Sequence, residues 1–443
     1  MGTTAFTRGA LLLVSGIVSV LWSTPLFAQT PKLTLSQVVE FSLQNNDDLR
    51  SFREEKGIRE AGKVRAGLLP NPTVDFEAGT GALTGSSAEN NLSLGVSQEF
   101  LLAGKREKRL ASAELESEMY RWQLADRERL LSEDVKTAFY EVILAQQRIV
   151  LSDRFIALNR QLLDVTNERL TAGDIPELEM SLAKVELARS EGARIDVEKS
   201  LHRHQARLWT VMGVLLGESP AIVGAFATKN GMTKPLADLK RLAHGNRPDI
   251  KALEAEKNRG ESDIAIAQAE GIPNITAGVA LSRDTTTMEI GGVEGKDTAY
   301  TIGLKLSMPI PLFDRNQAGV QEARAKRSSS EIRLTAAIRN AEREVETAYA
   351  SLMNAEKVIS IYESNIIPQL EENLQLTQEA YRLGEVGILT VIQEQKKYFE
   401  VSDGYLTAQH DRQAALVRLE AAAGADLETV GVPLPRKITG GVQ

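Results

Sequence analysis

The groups in this chain best able to do chemistry are four histidines and 60 acidic side chains, and their spacing argues against a catalytic centre. His202 and His204 are two residues apart. On a helix that separation is about 200°, so the two rings do not converge on one ion. His244 and His410 stand alone. There is no cysteine, which excludes disulfides, thiolate metal sites, cysteine nucleophiles and a lipidated N-terminal cysteine. Gly79-Thr80-Gly81 lacks the third glycine and the following helix of a dinucleotide site, and no G-x-S-x-G, Walker A or H-E-x-x-H run occurs. The formal charge is −8, with basic and acidic residues interspersed and no basic block to hold nucleic acid. We expect no enzyme activity, no cofactor, no resident metal and no nucleic-acid partner.

Two carboxylates stand apart because each follows a glycine at the end of a very long helical stretch. Asp174 lies in Ala172-Gly173-Asp174-Ile175-Pro176, and Glu385 in Leu383-Gly384-Glu385-Val386-Gly387. The first of these turns ends Lys105 to Ala172, 68 residues with neither glycine nor proline. As one helix this stretch would run roughly 100 Å. It carries two apolar series of period seven: Val135, Val142, Ile149, Ile156, Leu163 and Leu170, and then Leu144, Leu151, Leu158 and Val165. The step between them places the seams on nearly opposite sides of the helix. A two-stranded coiled coil needs one seam; two suit a helix with a neighbour on each side, as in a wall or cylinder.

The chain repeats itself. Leu68-Leu69-Pro70-Asn71-Pro72 closes a helical pattern begun at Leu35, and Gly271-Ile272-Pro273-Asn274-Ile275 closes one begun at Leu236. Each is followed by period-two alternation, then by a long helix, a glycine turn and a shorter returning helix. The first repeat spans 29–213, with strands at about 73–82 and 92–100 and the long helix at 105–172. A linker occupies 214–235. The second repeat spans 236–424, with strands at about 274–283 and 300–309 and the long helix at 315–383, where Pro368 should interrupt it. Residues 425–443 form a tail. The connections Leu83 to Asn91 and Ser282 to Ala299 are polar and read as loops.

Residues 1–28 read as a signal peptide: a short n-region with Arg8, an apolar stretch from Ala10 to Trp22, and a small residue at Ala28. No later apolar run is long enough for a membrane helix. Strands of about ten residues can cross a bilayer when tilted, but only in a closed sheet. Known barrels start at about eight strands. Four strands in one chain therefore require two, three or four copies, unless the hairpins belong to a soluble periplasmic scaffold.

The duplicated helix, hairpin, long helix pattern resembles the TolC family of outer-membrane efflux channels across the mature chain. Leu68-Leu69-Pro70-Asn71-Pro72, Ser97-Gln98-Glu99-Phe100 with Gly104-Lys105-Arg106, and Pro309-Ile310-Pro311-Leu312-Phe313-Asp314-Arg315-Asn316-Gln317 are similar to its CzcC-like branch, which serves heavy-metal efflux. The resemblance implies a mainly α protein with a small β part, located in the outer membrane with a long periplasmic extension. It implies a homotrimer, in which a twelve-stranded barrel set in outer-membrane lipid continues into a twelve-helix tunnel. It also implies a passive exit duct whose tip, formed by residues 173–176 and 384–387, meets a periplasmic adaptor of an inner-membrane RND-type pump. Heavy-metal cations are the expected cargo, with multidrug efflux or type I secretion as alternatives within the same fold.

Within the family the tip closes the resting channel, and Glu179 and Tyr381 match positions that take part in that lock. Arg382 is a further candidate. Where TolC has two aspartates on the inner wall, this chain has Thr390 and Gln393, so no aspartate ring is expected at that level. In a trimer Asp174 and Glu385 would each occur three times around the mouth. Such rings favour cations, although an acidic residue at a turn also serves solubility or the N-terminus of the next helix.

Overall fold

A computed structural model describes residues 32–83, 86–214, 220–226 and 234–427. The expected leader at 1–28, most of the C-terminal tail and part of the linker lie outside them.

The chain opens with strand β1 (Lys32–Leu33) and helices α1 (Leu35–Asn45) and α2 (Asp47–Gly67). Strands β2 (Thr73–Thr80) and β3 (Asn90–Phe100) follow, then α3 (Lys105–Ala172) and α4 (Glu177–Met212). After β4 (Ala221–Ile222), which pairs in parallel with β1, the pattern recurs. It comprises α5 (Leu236–Asn246), α6 (Pro248–Glu270), β5 (Ile275–Ile290), β6 (Val293–Ser307), α7 (Gln317–Ile361), α8 (Ile367–Arg382) and α9 (Ile388–Ala423).

The two breaks between short helices are built alike. Asn46 accepts from the Leu49 amide at 3.0 Å and donates to the Val211 carbonyl of α4 at 2.9 Å. Arg247 occupies the second break and donates to the Ala422 carbonyl of α9 at 3.3 Å. Facing Asn46 is Gly213, with φ +72°, where a Cβ would lie 2.6 Å from the Asn45 oxygen. Only glycine meets both demands.

The two seams of α3 face different partners. Val135 and Val142 pack with Val38 of α1 and with Leu208 and Met212 of α4. Leu151 packs with Leu370 and Leu374 of α8 and Tyr398 of α9, and Leu158 lies against the same cluster. The helix therefore has a neighbour on each side, α4 from its own repeat and α9 from the other. Together α4, α3, α9 and the α7–α8 rod lie side by side in that order.

The second long helix departs from the expected span of 315–383. It starts at Gln317, ends at Arg382, and is broken by a π turn at Tyr362–Ile366. In that turn the Ile367 amide donates to the Tyr362 carbonyl five residues back. Pro368 follows directly and has no amide to donate, so the local change of register lets the rod pass through a residue that an α-helix interior rejects.

The four long strands form an antiparallel sheet in the order β2-β3-β5-β6. Residues 282–299 are a correction: instead of a loop they continue β5 and β6 to a tight turn at Gly291 and Gly292, both with positive φ. The run Thr285-Thr286-Thr287 is polar but β-branched, and it pairs with Thr298, Asp297 and Lys296. Register aligns Phe76, Leu94, Leu281 and Ile302 across all four strands, and Val74, Val96, Val279 and Leu304 in the adjacent row. All eight side chains are exposed, Leu304 at 87%. The opposite face presents Asp75, Glu77, Ser93, Ser97, Ser282 and Thr301. Among the described residues no helix is long and apolar enough to cross a membrane.

Candidate functional site at the tip

The ends of α3 and α8 farthest from the sheet carry the turns that the sequence singles out. Both close in the same way. The Gly173 amide donates to the Leu170 carbonyl at 3.0 Å and the Asp174 amide to the Arg169 carbonyl at 3.0 Å. Likewise, the Gly384 amide donates to the Tyr381 carbonyl at 3.1 Å and the Glu385 amide to the Ala380 carbonyl at 2.9 Å. The glycines have φ +83° and +79°. This paired pattern uses the last orphan carbonyls of a helix and needs a left-handed residue at the glycine.

Gly173, Asp174, Pro176, Gly384, Glu385 and Gly387 are exposed, whereas Ile175 is buried and Val386 packs partly against the core behind the turns. That core joins the two repeats, with Leu162 of α3, Ala183 of α4, Tyr381 of α8, and Ile388, Val391 and Ile392 of α9.

Tyr381 is 1% exposed and is the polar centre of the tip. Its hydroxyl lies 3.2 Å from Glu179 Oε2 and 3.1 Å from Thr166 Oγ1. Each hydroxyl has one proton. Thr166 Oγ1 also lies 2.7 Å from the Leu162 carbonyl, which can only accept and takes the Thr166 proton, so the single Tyr381 proton serves Glu179 and Thr166 in turn. Burial pushes the phenol above its ordinary value, which keeps it a donor.

Arg169 completes the group. Its guanidinium sits 4.8 Å from the Tyr381 ring centroid, and Nη1 donates to the Tyr381 carbonyl at 2.9 Å. That carbonyl belongs to the last turn of α8, the negative end of a helix.

The structure thus brings Glu179 and Tyr381 together but does not bring Arg382 to them. Arg382 is exposed at the edge of a neighbouring cavity of about 220 Å³, which is also lined by Gln161, Gln375, Glu379 and Gln395. Successive helical residues point about 100° apart, so Arg382 lines the cavity beside Tyr381, with Gln161, Leu162 and Val165 of α3, rather than joining the bonds around the phenol. Thr390 and Gln393, on α9, are exposed. Thr166 and Arg169 were missed by sequence reasoning. Position was the available signal, since Arg169 lies in the last turn of α3, four residues before Gly173.

The arrangement holds no nucleophile and base in partnership; it is a set of bonds between two helix ends. Among the described residues no group of three or more His, Cys, Asp or Glu is placed to hold a metal.

Comparison with known proteins places this geometry in context. The profile of the family described as "Outer membrane efflux protein" matches residues 38–214 and 239–425. The chain is 23% identical over 384 residues to the cobalt-zinc-cadmium resistance protein CzcC of Cupriavidus metallidurans, covering 84% of this chain and 86% of that one. It is 26% identical over 412 residues to the outer membrane protein OprJ of Pseudomonas aeruginosa, covering 88% and 84%. A crystal structure of CusC superposes with a TM-score of 0.73 at 20% identity, covering 88% of this chain and 92% of that one.

Proposed function

The chain belongs to the outer membrane efflux protein family, of TolC-like fold, and on that basis we propose that it is the passive exit duct of a tripartite export system. One observation carries this reading: an exposed apolar band crosses all four strands, in a sheet whose outer strands β2 and β6 have no partner on their far sides among the described residues. In lipid such edges must be paired. Three chains would close the sheets into a twelve-stranded barrel and the helical layers into a twelve-helix tunnel, with the polar face of the sheet lining the lumen. Two further features support the same reading. The helices lead away from the sheet to a tip where Arg169, Tyr381 and Glu179 tie α3, α8 and α4 together, and among the described residues no metal-binding cluster accompanies them.

In this reading the tip formed by residues 173–176 and 384–387 docks on a periplasmic adaptor, which links it to an inner-membrane pump of the RND type. Glu179, Tyr381 and Arg169 hold the mouth closed at rest, and Arg382, Thr390 and Gln393 are exposed beside it. Heavy-metal cations are the cargo favoured by the likeness to CzcC, whose name records cobalt, zinc and cadmium resistance. Exposed Asp174 and Glu385, repeated around a threefold axis, would attract cations at the entrance. Multidrug efflux, which the same fold also serves, is the second reading.

Deleting the gene and scoring growth across metals and drugs tests the cargo. The metal reading expects sensitivity to zinc, cobalt or cadmium. Unchanged tolerance to every metal together with new drug sensitivity would replace it with the second reading.

A further inference from the structure

The segment between β6 and α7 has an unusual make-up for a connection. Ile310, Leu312 and Phe313 are all exposed, Phe313 at 92%. The backbone around them is nevertheless held fixed. The Leu312 amide donates to the Ile310 carbonyl at 2.9 Å, Arg315 Nε to the Pro311 carbonyl at 3.2 Å, and Gln317 Nε2 to the Phe313 carbonyl at 3.1 Å. Asn316, at φ +58°, donates through Nδ2 to the Ala267 carbonyl of α6 at 2.8 Å. Each polar side chain of the segment thus bonds to its own backbone or to α6, Arg315 through Nε alone, and the apolar side chains are left outside. An ordered, outward-facing apolar cluster of this kind marks an interaction surface.

Two observations identify its occupant. The first is continuity. The segment extends the apolar row of β6 (Ile302, Leu304, Leu306, Met308, Ile310) beyond the last ladder pair at Ser307. Leu68, Leu69 and Phe100 are exposed along the same edge of the sheet. The second is charge. Within about one turn of this edge stand Arg65, Arg106, Lys108, Arg109 and Arg315, against Glu107, Glu270 and Asp314, in a chain whose formal charge is −8. Arg106 and Lys108 each use one donor on a backbone carbonyl, Gly67 at 2.7 Å and Ala103 at 2.5 Å, and keep their remaining donors. The nearby Glu99 carboxylate is engaged by Asn274 at 2.6 Å, and Asn274 in turn accepts from Lys105 at 2.6 Å. The edge therefore combines a rigid aromatic anchor with cations whose spare N–H groups suit phosphate oxygens.

We infer that this rim is a lipid-docking belt selective for anionic glycerophospholipid headgroups. Leu312 and Phe313 enter the acyl boundary, and Arg106 and Arg315 hold headgroup phosphates. The inference rests on the outer-membrane reading, which puts the helix side of the sheet at the periplasmic leaflet. A juxtamembrane cation contributes about fivefold to binding of an anionic surface, so removing two should cost about 25-fold.

The test uses the full processed chain, purified in detergent and titrated with phosphatidylglycerol or phosphatidylethanolamine, with bound lipids counted by native mass spectrometry. Phosphatidylglycerol is expected to bind preferentially. Arg106→Gln with Arg315→Gln should weaken that binding about 25-fold without altering conductance, and Phe313→Ser should weaken binding of both lipids. Equal binding of the two lipids, or binding unchanged in the double variant, overturns the inference. So does release of monomers by Phe313→Ser, which would mean that a second copy covers the rim. Uptake of the wild-type protein into phosphatidylethanolamine vesicles is scored separately. If it enters none, the outer-membrane reading falls first and this inference with it; uptake without headgroup preference overturns the inference alone.

Discussion

Arg169, near the end of the first repeat's long helix, lies 4.8 Å over the ring of Tyr381 and binds the Tyr381 carbonyl at 2.9 Å. One side chain thus fixes both the ring and the backbone at the end of the second repeat's rod. A cation–π contact and a charge-assisted hydrogen bond on a half-buried arginine are together of order 2 kcal/mol. Arg169→Met keeps the apolar stem and removes both. Open mouths should become about thirtyfold more populated, read as resting conductance in planar bilayers. Arg169→Lys should fall between, since it keeps the charge and a donor but not the planar stack. Equal resting conductance in all three proteins would remove Arg169 from the closure.

The chain of hydroxyls from Thr166 through Tyr381 to Glu179 makes a separate prediction. Tyr381→Phe deletes the shared donor and should raise resting conductance about fivefold, corresponding to roughly 1 kcal/mol. Glu179→Ala removes the acceptor of the same bond, so the double variant should exceed either single one by less than the sum of their effects. Strict additivity would mean that the two residues act apart.

Gly384 tests docking. Its φ of +79° strains any branched side chain, and a Cβ there would lie 3.3 Å from Arg169 Nη2, close enough to push that side chain aside. Gly384→Val should distort the exposed turn and abolish crosslinking to the adaptor, while the assembly, held by a sheet at the far end, persists in detergent. Full crosslinking would argue that the adaptor engages elsewhere.

Far from the tip, Asp249 links stability to pH. Burial alone would push its carboxyl up, but the two bonds from Arg247, at 3.0 and 2.7 Å, outweigh burial and hold it below the ordinary value of 3.8. A depressed carboxylate stabilises the fold above its unfolded value and loses that contribution as pH falls through the folded one. Asp249→Asn should therefore lower the unfolding free energy by about 1–2 kcal/mol at pH 7, with the gap to wild type closing below about pH 4. A gap that stays constant from pH 7 to pH 3 would assign the loss to packing instead.

Much of this architecture is legible in residues that act through the backbone. Gly104 and Gly173 flank α3 in the left-handed conformation, and heptad positions such as Val142 and Leu151 identify the two sides on which it has neighbours. Alternation at Val74 and Phe76, or at Ile302 and Leu304, reveals a two-faced strand. Polarity alone misleads at Thr285 to Thr287, which look like a loop because they are hydrophilic yet extend a ladder because they are β-branched. The π turn before Pro368 is invisible for another reason, since a proline signals a disturbance but not how neighbouring helices let the chain absorb it. The tip was half legible. Glu179 and Tyr381 sit at recognisable places beside the glycine turns, but which arginine reaches the ring depends on how α3 and α8 rotate against each other. Arg382 stands next to Tyr381 in the sequence, whereas Arg169, which reaches the ring, is 212 residues away from it.

The most direct measurement is made on the wild-type protein, purified from membranes with its mass determined in detergent and its conductance then recorded in planar bilayers. An exit duct held shut at its tip predicts a trimer with a small resting conductance, and a large increase when Arg169 is replaced by methionine. A protein recovered as a soluble monomer without detergent, or a trimer that never conducts with either residue at position 169, would contradict it.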